Sequence, residues 1–414
     1  MIRRLLFWGS ASAVAFTYVG APLIIFARAL LRPRPVVSGP SEPSVSVVIA
    51  ARNEAASIGR RLDNLAALDY PPERLEVVVA SDGSEDDTVA IARSRAGGRV
   101  TILELDRVGK ADALNAAVAR TSGEIVVFTD ANTSFANDAI RAIVAPFADP
   151  TVGGVAGNQV YTSDGQTPGD GGERSYWDFD RVLKRAESIA GSTVSATGAI
   201  YALRRDLVPM IVAGVTDDFY TSTAVVERGY RLVFAPDAIA YEPPSKSANR
   251  EYGRKVRIMS RGFRGVAARR SLLDPQRTGF YALQLAWHKL ARRLMAAPLL
   301  AMAVASATLA GAGWRYRLPA ILQAMAYGAA AIGLAAPASR IGRSRPVVLG
   351  AYFVMVNVAS LHAAVNVLRG KRIERWEPTR SADEPSPSRE EASPPAEATP
   401  SPAEANPSPA EDRP

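Results

Sequence analysis

Val45-Ser46-Val47-Val48-Ile49-Ala50-Ala51-Arg52-Asn53-Glu54, Val77-Val78-Val79-Ala80-Ser81-Asp82-Gly83-Ser84 and Glu124-Ile125-Val126-Val127-Phe128-Thr129-Asp130-Ala131-Asn132 are three apolar runs, each closing on a small, polar, charge-bearing turn. A short apolar run bounded by such turns reads as a buried strand, and the segments between these runs carry apolar residues at helical spacing. Ser57 to Leu68 is one such segment, the stretch opened by Glu85-Asp86-Asp87-Thr88 a second, and Lys110 to Arg120 a third, with a further strand at Arg99 to Leu105. Strands alternating with helices in this way imply an α/β fold with a mostly parallel central sheet. Open sheets of that kind bind nucleotides at the carboxyl ends of their strands. Asn53, Glu54, Asp82 and Asp130 fall at those ends.

At 414 residues and 48% hydrophobic content the chain has room for one large domain plus membrane segments. It has no cysteine and only two histidines. A thiolate nucleophile, a zinc-thiolate centre and a histidine-based triad are therefore all but excluded, and acid-base or metal chemistry falls to carboxylates. The lack of disulfides suits a domain facing the cytosol. Formal net charge is +8, but residues 377–414 carry nine acidic and three basic side chains, which leaves +14 on the rest. A basic body favours phosphate groups and anionic lipid headgroups. Basic residues beside apolar runs, at Arg28, Arg32 and Arg34, at Arg292 and Arg293, and at Lys371 and Arg372, point to membrane lipids. No basic run is interleaved with stacking aromatics, so nucleic acid is not an expected partner.

Leu5 to Ala27 is uncharged, and roughly 20 apolar residues suffice to cross a bilayer. It exceeds a signal-peptide core of about 7 to 15 residues and lacks a following small-x-small cleavage site, so residues 1–34 are expected to be a transmembrane anchor. Residues 40–270 form the expected catalytic domain. In 275–293, Leu283, Trp287 and Leu290 share a stripe that continues to Leu294, flanked by His288, Lys289, Arg292 and Arg293, the pattern of an interfacial amphipathic helix. Three uncharged runs, Leu294 to Trp314, Leu318 to Ser339 and Pro346 to Leu368, make 294–370 the expected C-terminal membrane segments. Residues 377–414, rich in Pro, Ala and Glu, are expected to be disordered because they cannot bury enough apolar surface to offset ordering entropy. With 40–270 in the cytoplasm, Arg28 to Arg34 and Arg340 to Arg345 obey the positive-inside rule. Three full C-terminal spans would export Lys371 and Arg372, so either one segment is re-entrant or interfacial, or the tail is exported.

Four groupings can carry chemistry. Asp82 can accept hydrogen bonds from a base or sugar, although Asp-Gly is also a common turn. Asp130 and Asn132 either supply oxygen ligands to a hard divalent cation at a diphosphate or simply start the helix near Phe135 to Phe147. Asp217 and Asp218 must repel, which raises one pKa and equips it as a general base; the same pair also suits the start of a helix at Phe219 to Arg228. Lys110, opening a helix after Gly109, and the cluster Arg254-Lys255-Val256-Arg257 can face phosphate oxygens, or else be a solvated lysine and a juxtamembrane basic face.

In order and spacing, these segments, with Leu114-Asn115, Thr197-Gly198-Ala199 and Thr216-Asp217-Asp218, resemble the family 2 inverting glycosyltransferases of GT-A fold, in the membrane-embedded, polysaccharide-synthase-like branch. The resemblance covers about 45 to 300. It implies a nucleotide-sugar donor, commonly a UDP-sugar, held by Asn53, Glu54, Asp82, Lys110 and Asp130. It further implies Mg²⁺ or Mn²⁺ at Asp130 with Asn132, Asp218 as catalytic base, and Gly198, Asp217, Arg254 and Arg257 around the acceptor or diphosphate. The expected activity is transfer, with inversion, to a hydroxyl of a glycan or lipid-linked acceptor. Exopolysaccharide, cell-wall glycan and glycolipid synthesis are the expected settings, at the cell (inner) membrane. The chain departs from the family in three places. Its metal motif ends in Asn132 where the family has a second aspartate, its acidic pair begins with Asp217 where glutamate is usual, and Arg257-Ile258 stands where processive synthases carry Arg-Trp. Two alternatives stand beside this reading: a polyprenyl-phosphate glycosyltransferase, and an inactive nucleotide-binding membrane scaffold. A nucleotidyltransferase is disfavoured because Ala50 to Ser57 offers no glycine for a phosphate loop.

Overall fold

The computed structural model describes residues 1–161, 170–242 and 248–371, the side chains of 170–178 and 248–251 excepted. Arg372 and the tail 377–414, expected to be disordered, lie outside the described residues. The chain opens with a long helix, α1 (Ile2–Leu31), which is apolar and long enough to cross a membrane.

Among the described residues, seven strands of more than two residues follow. They are β1 (Val45–Ala51), β2 (Leu75–Asp82), β3 (Val100–Leu105), β4 (Ile125–Asp130), β6 (Val152–Tyr161), β7 (Tyr201–Arg204) and β8 (Arg231–Glu242), and the two-residue β5 (Ser134–Phe135) completes the set. Helices α2 (Ala55–Ala66), α3 (Thr88–Arg95) and α4 (Lys110–Val118) connect the first four strands. The sheet order is β3-β2-β1-β4-β7-β6-β8-β5. β1 runs parallel to both β2 and β4, and β2 to β3, whereas β7 lies antiparallel between β4 and β6. Since β1 is flanked by β2 on one side and β4 on the other, the winding reverses at β1/β4, where a crevice opens beyond the strand ends. Register aligns those ends: Ala51 faces Ser81, and Ala50 faces Asp130.

Period-two alternation divides the strands between two cores. Val47, Ile49, Val77, Val79 and Val127 pack on Ile58, Leu62 and Leu65 of α2, while Val48, Val78, Val126 and Phe128 pack on Ala113, Leu114 and Ala117 of α4 and on Leu203. Each fully buried Val, Leu or Ile contributes about 1.5–3 kcal/mol. A one-residue slip of β1 would exchange its two buried faces, so the packing on both sides fixes the register.

Two expected helices are broken. The stretch 135–147 begins as strand β5, which pairs antiparallel with β8 (Phe135 opposite Ala240), and the Asn64 side chain also bonds both backbone groups of Phe135, accepting from its N–H (2.8 Å) and donating to its carbonyl (3.0 Å). Helix α5 (Ala139–Val144) starts only after Asp138. A long helix, α6 (Asp170–Ala190), follows β6. The stretch 219–228 forms α7 (Asp217–Ser222) and α8 (Ala224–Glu227), separated at Thr223, whose hydroxyl donates to the Phe219 carbonyl at 2.7 Å.

C-terminal to the sheet come α9 (Ala248–Ala268), α10 (Phe280–Leu294), α11 (Ala296–Thr308), α12 (Trp314–Ala335) and α13 (Arg345–Leu368). α12 and α13, like α1, are long and apolar enough to cross a membrane, and α10 with α11 forms a pair bent by 51° that passes the same test jointly. A π-helical turn at Ala286–Ala291 interrupts α10, and another, Phe16–Gly20, interrupts α1. The two turns meet: the Trp287 indole N–H donates to the Thr17 carbonyl at 2.9 Å. Ala21 and Ile25 of α1 pack on Leu183 and Ala186 of α6 and on Trp287, so the N-terminal helix is seated directly on the sheet domain.

Candidate functional site

At the β1/β4 crevice, Asp130 leaves the end of β4 on a turn tied from behind. The Thr129 hydroxyl donates to the Ala199 carbonyl (2.7 Å) and accepts from the buried Arg61 guanidinium (3.0 Å), and Thr133 Oγ1 donates to the Asp130 carbonyl (2.9 Å). Arg61 stacks on Phe135 at 3.9 Å, and burial pulls its pKa down to about 9 against the opposing pull of Asp130. The turn is therefore no helix cap; α5 begins at Ala139, nine residues after Asp130, with Asp138 before it. Gly198 lies against it. A Cβ there would stand 3.3 Å from Asp130 Oδ2, tighter than ordinary contact.

Lys110 is not a solvated surface lysine. Its Nζ lies 2.9 Å from Asp130 Oδ1 and 2.9 Å from Asp217 Oδ2. Burial alone would lower its pKa, but the two carboxylates carry it well above the usual lysine value. Asp217 is correspondingly held below the ordinary range: burial raises it, and the ammonium of Lys110 more than reverses that. Asp218, next in sequence, is pushed up to about 6 by burial and then by the Asp217 charge, while its Oδ1 accepts the Phe219 backbone N–H at 2.7 Å. Both aspartates open α7, so the helix start and the acidic site are one feature.

Asp82 is 1% exposed. One oxygen accepts the Gly109 N–H at 2.7 Å, and the other is buried with no partner among the described residues. Gly109 holds φ at +97°, a conformation a side chain would disfavour, and this turn delivers Lys110 to the neighbouring carboxylates. An unpaired buried carboxylate oxygen is costly unless a ligand supplies the donor. Asn53, at φ +51°, ties two turns together: its N–H donates to Ser84 Oγ (3.2 Å) and its Oδ1 accepts the Glu85 N–H (2.8 Å). Glu54 starts α2, its carbonyl accepting from Ser57 and Ile58 and its N–H donating to Thr88 Oγ1 at 2.7 Å.

A cavity of about 810 Å³ collects Lys110, Asp130, Gly198, Asp217, Asp218 and Arg254. Asn53, Glu54, Asp82, Asn132 and Arg257 do not line it. The cavity also takes in residues to which the sequence reading gave no place in the site: Lys184 and Glu187 of α6, His288 and Lys289 of the π-helical turn, and the face of α13 around Phe353. Only the 3.6-residue periodicity of α6 could have suggested that Asp180, Lys184 and Glu187 share a face. Nothing local brings α13 to the sheet.

A doubly wound sheet with carboxylates and a buried lysine gathered at the switch point is the GT-A-like arrangement of a glycosyltransferase. Residues 46–209 match the family described as Glycosyl transferase family 2, so this part of the chain is a family 2 glycosyltransferase domain. It is 26% identical over 233 residues to the poly-beta-1,6-N-acetyl-D-glucosamine synthase of Staphylococcus aureus, covering 54% of this chain and 56% of that one. The chain thus spans about half the length of the curated relatives it matches. It is 38% identical over 116 residues to the beta-monoglucosyldiacylglycerol synthase of Synechocystis sp., covering 27% of this chain and 24% of that one. Among solved structures it resembles the mannosyltransferase PcManGT of Pyrobaculum calidifontis in complex with GDP-Man and Mn²⁺, at TM-score 0.67 and 29% identity, over 89% of this chain and 100% of that one.

Proposed function

We propose that this protein transfers a sugar, with inversion, from a nucleotide-sugar donor to an acceptor hydroxyl in exopolysaccharide, cell-wall glycan or glycolipid synthesis, with the sheet domain on the cytoplasmic face of the cell membrane. The observation that carries the reading is the convergence of Asp130, Lys110, Asp217 and Asp218 in one cavity. Asp82, through its unpaired oxygen, accepts from the base or ribose of the donor, and Asn53 and Glu54 shape the turn beside it. Asp218 takes the acceptor proton. The freed oxygen attacks the anomeric carbon from the face opposite the diphosphate, the bond from that carbon to the diphosphate oxygen breaks, and the nucleoside diphosphate leaves. Lys110 lies where it can neutralise that leaving charge. Arg254 and Arg257 of α9 add positive charge on the acceptor side.

Among the described residues, no group of three or more His, Cys, Asp or Glu side chains could hold a metal unaided. One carboxylate with a neutral amide still fits a hard cation that takes its remaining ligands from phosphate oxygens and water. Asp130 with Asn132 would hold Mg²⁺ or Mn²⁺, which when bound offsets diphosphate charge; the similar PcManGT was solved with Mn²⁺. That enzyme carries GDP-Man, so the donor panel must include GDP- as well as UDP-sugars.

The test is nucleoside diphosphate release by the full-length purified protein over such a panel, with divalent cation and both soluble glycan and lipid acceptors. Absence of release from every pairing would favour an inactive nucleotide-binding scaffold. Undiminished turnover of Asp218→Asn with a lipid phosphate would favour direct transfer to phosphate, which needs no base.

A further inference from the structure

One wall of the cavity has no regular structure of its own. Residues 193–199 all line it, yet they lie between α6 and β7 in neither helix nor strand. A buried irregular segment must find its backbone partners elsewhere in the fold, and those partners set where it lies. At its C-terminal end the Ala199 carbonyl accepts the Thr129 hydroxyl (2.7 Å) and Gly198 lies against Asp130. In the middle, the Ala196 N–H donates to Ser222 Oγ (3.1 Å), at the end of the helix that Asp217 and Asp218 open. The wall therefore bears on both acidic parts of the site.

Its N-terminal end is held by a residue that the proposed transfer does not use. Glu187 of α6 is fully buried, and its Oε2 accepts both the Thr193 hydroxyl and the Val194 N–H, each at 3.1 Å. The Val194 carbonyl in turn accepts the Tyr281 hydroxyl at 2.7 Å, and the Thr193 N–H donates to the Leu232 carbonyl at 2.8 Å. Glu187 Oε1 lies 3.2 Å from His288 Nδ1, beside the pair of Asp180 and Lys184 on α6. Tyr281 and His288 both belong to α10, so that helix grips Val194 twice, once directly and once through Glu187. Burial pushes the Glu187 pKa up to about 7, so a neutral side chain able to accept the same two bonds reproduces its protonated form.

Resting on the transferase reading above, we infer that Glu187 is a positioning residue for the reaction: its bonds to Thr193 and Val194 fix the wall 193–199, and through that wall the placement of Gly198 beside Asp130 and of Ala196 against α7. Without the carboxylate, the Thr193 hydroxyl and the Val194 N–H are left buried and unpaired, and the wall must shift to find other partners. A shift of about 1 Å near reacting groups can cost about 10²-fold in rate. The π-helical turn takes part by presenting His288 to Glu187, and the Trp287 bond to Thr17 secures that turn on α1.

The experiment pairs kinetics with amide hydrogen exchange, both on full-length protein in nonionic detergent. Glu187→Leu should lower kcat by about 10–100-fold and leave donor KM within about threefold of wild type, the pattern of a group that acts on the transition state through its neighbours. Exchange in the peptide covering 191–199 should quicken while β1 and β2 stay as protected as in wild type. Glu187→Gln, which keeps an oxygen for both bonds, should restore most of kcat and the slow exchange. Tyr281→Phe releases Val194 from the other side and should repeat the Glu187→Leu pattern more weakly; it decides the matter if Glu187→Leu loses the protection of β1 and β2 and so fails to fold. Wild-type kcat in folded Glu187→Leu, a Gln variant as impaired as the Leu variant, or unchanged exchange at 191–199 in Tyr281→Phe would overturn the inference. Any of these with normal wild-type turnover leaves the transferase reading standing. Absence of turnover by the wild type with every donor would remove that reading, and slow exchange at 191–199 in Glu187→Leu would then remove this one as well, whereas fast exchange there would uphold the clamp.

Discussion

Replacing Asp218 by Asn tests the site where its chemistry is most exposed. The carboxyl is pushed from 3.8 up to about 6 by burial and by Asp217. A general base works ionised, so about 90% of the enzyme is competent at pH 7 and about 10% at pH 5. The wild-type kcat/KM should therefore fall close to tenfold between those values. The variant should lose about 10²–10⁴ in kcat, the usual worth of a positioned base, and its residual rate should no longer follow that limb. Stability moves the other way. A folded pKa above the unfolded one means that ionised Asp218 opposes folding, so the native state loses stability as pH rises from about 4 to about 6. Two pKa units set a ceiling of about 3 kcal/mol, reduced to about 1–2 by solvent at this half-buried position. Asp218→Asn should thus melt higher than wild type at pH 7 and equal to it at pH 4. Activity is read as nucleoside diphosphate release across pH 5–8, and stability as detergent-phase thermal melts. A flat kcat/KM between pH 7 and 5, or a variant retaining more than a tenth of wild-type kcat, would refute the assignment of the base.

Lys110→Met leaves Asp130 and Asp217 facing each other without their shared cation, so the thermal midpoint should fall and donor KM should rise at least tenfold; an unchanged donor KM would contradict a role at the diphosphate. Gly198→Val places atoms inside the 3.3 Å approach to Asp130 Oδ2 and should raise the concentration of Mg²⁺ or Mn²⁺ needed for half-maximal rate, measured by cation titration at saturating donor. Asp82→Ala removes a buried oxygen that lacks a partner; calorimetric titration with nucleoside diphosphate should show weaker binding by about 1–3 kcal/mol, and wild-type affinity would show that the oxygen meets no donor group. Trp287→Phe removes the indole donor to Thr17 and should cost about 1–2 kcal/mol, seen as earlier cleavage near α1 in limited proteolysis with the sheet domain still intact.

Alternation of strand and helix in the first half of the chain made β1 to β4, their helices and a mostly parallel sheet readable in advance, because these apolar runs close on polar turns. The second half of the sheet was not readable. β6 and β8 pair over ten and twelve residues that are Gly-rich or interrupted by Pro236, and β7 is four residues long, so their pairing depends on neighbours supplied by distant sequence. Phe135 shows the same limit on a small scale: where a helix was expected to start, it pairs with Ala240 of β8 and is bonded by Asn64, 71 positions away. The stripe of Leu283, Trp287 and Leu290 was legible as a helix face, but the π-helical turn that swings His288 and Lys289 to the cavity was not.

The sequence alone determined which residue types were available for chemistry and where the first four strands end, since an apolar run and a polar turn are local properties of consecutive residues. Tertiary structure decided which of those ends act together. Lys110 finds Asp217 across 107 positions, and α13 closes a cavity that Lys110 also lines, because ion pairs and packed faces depend on separation in space, which no spacing along the chain encodes.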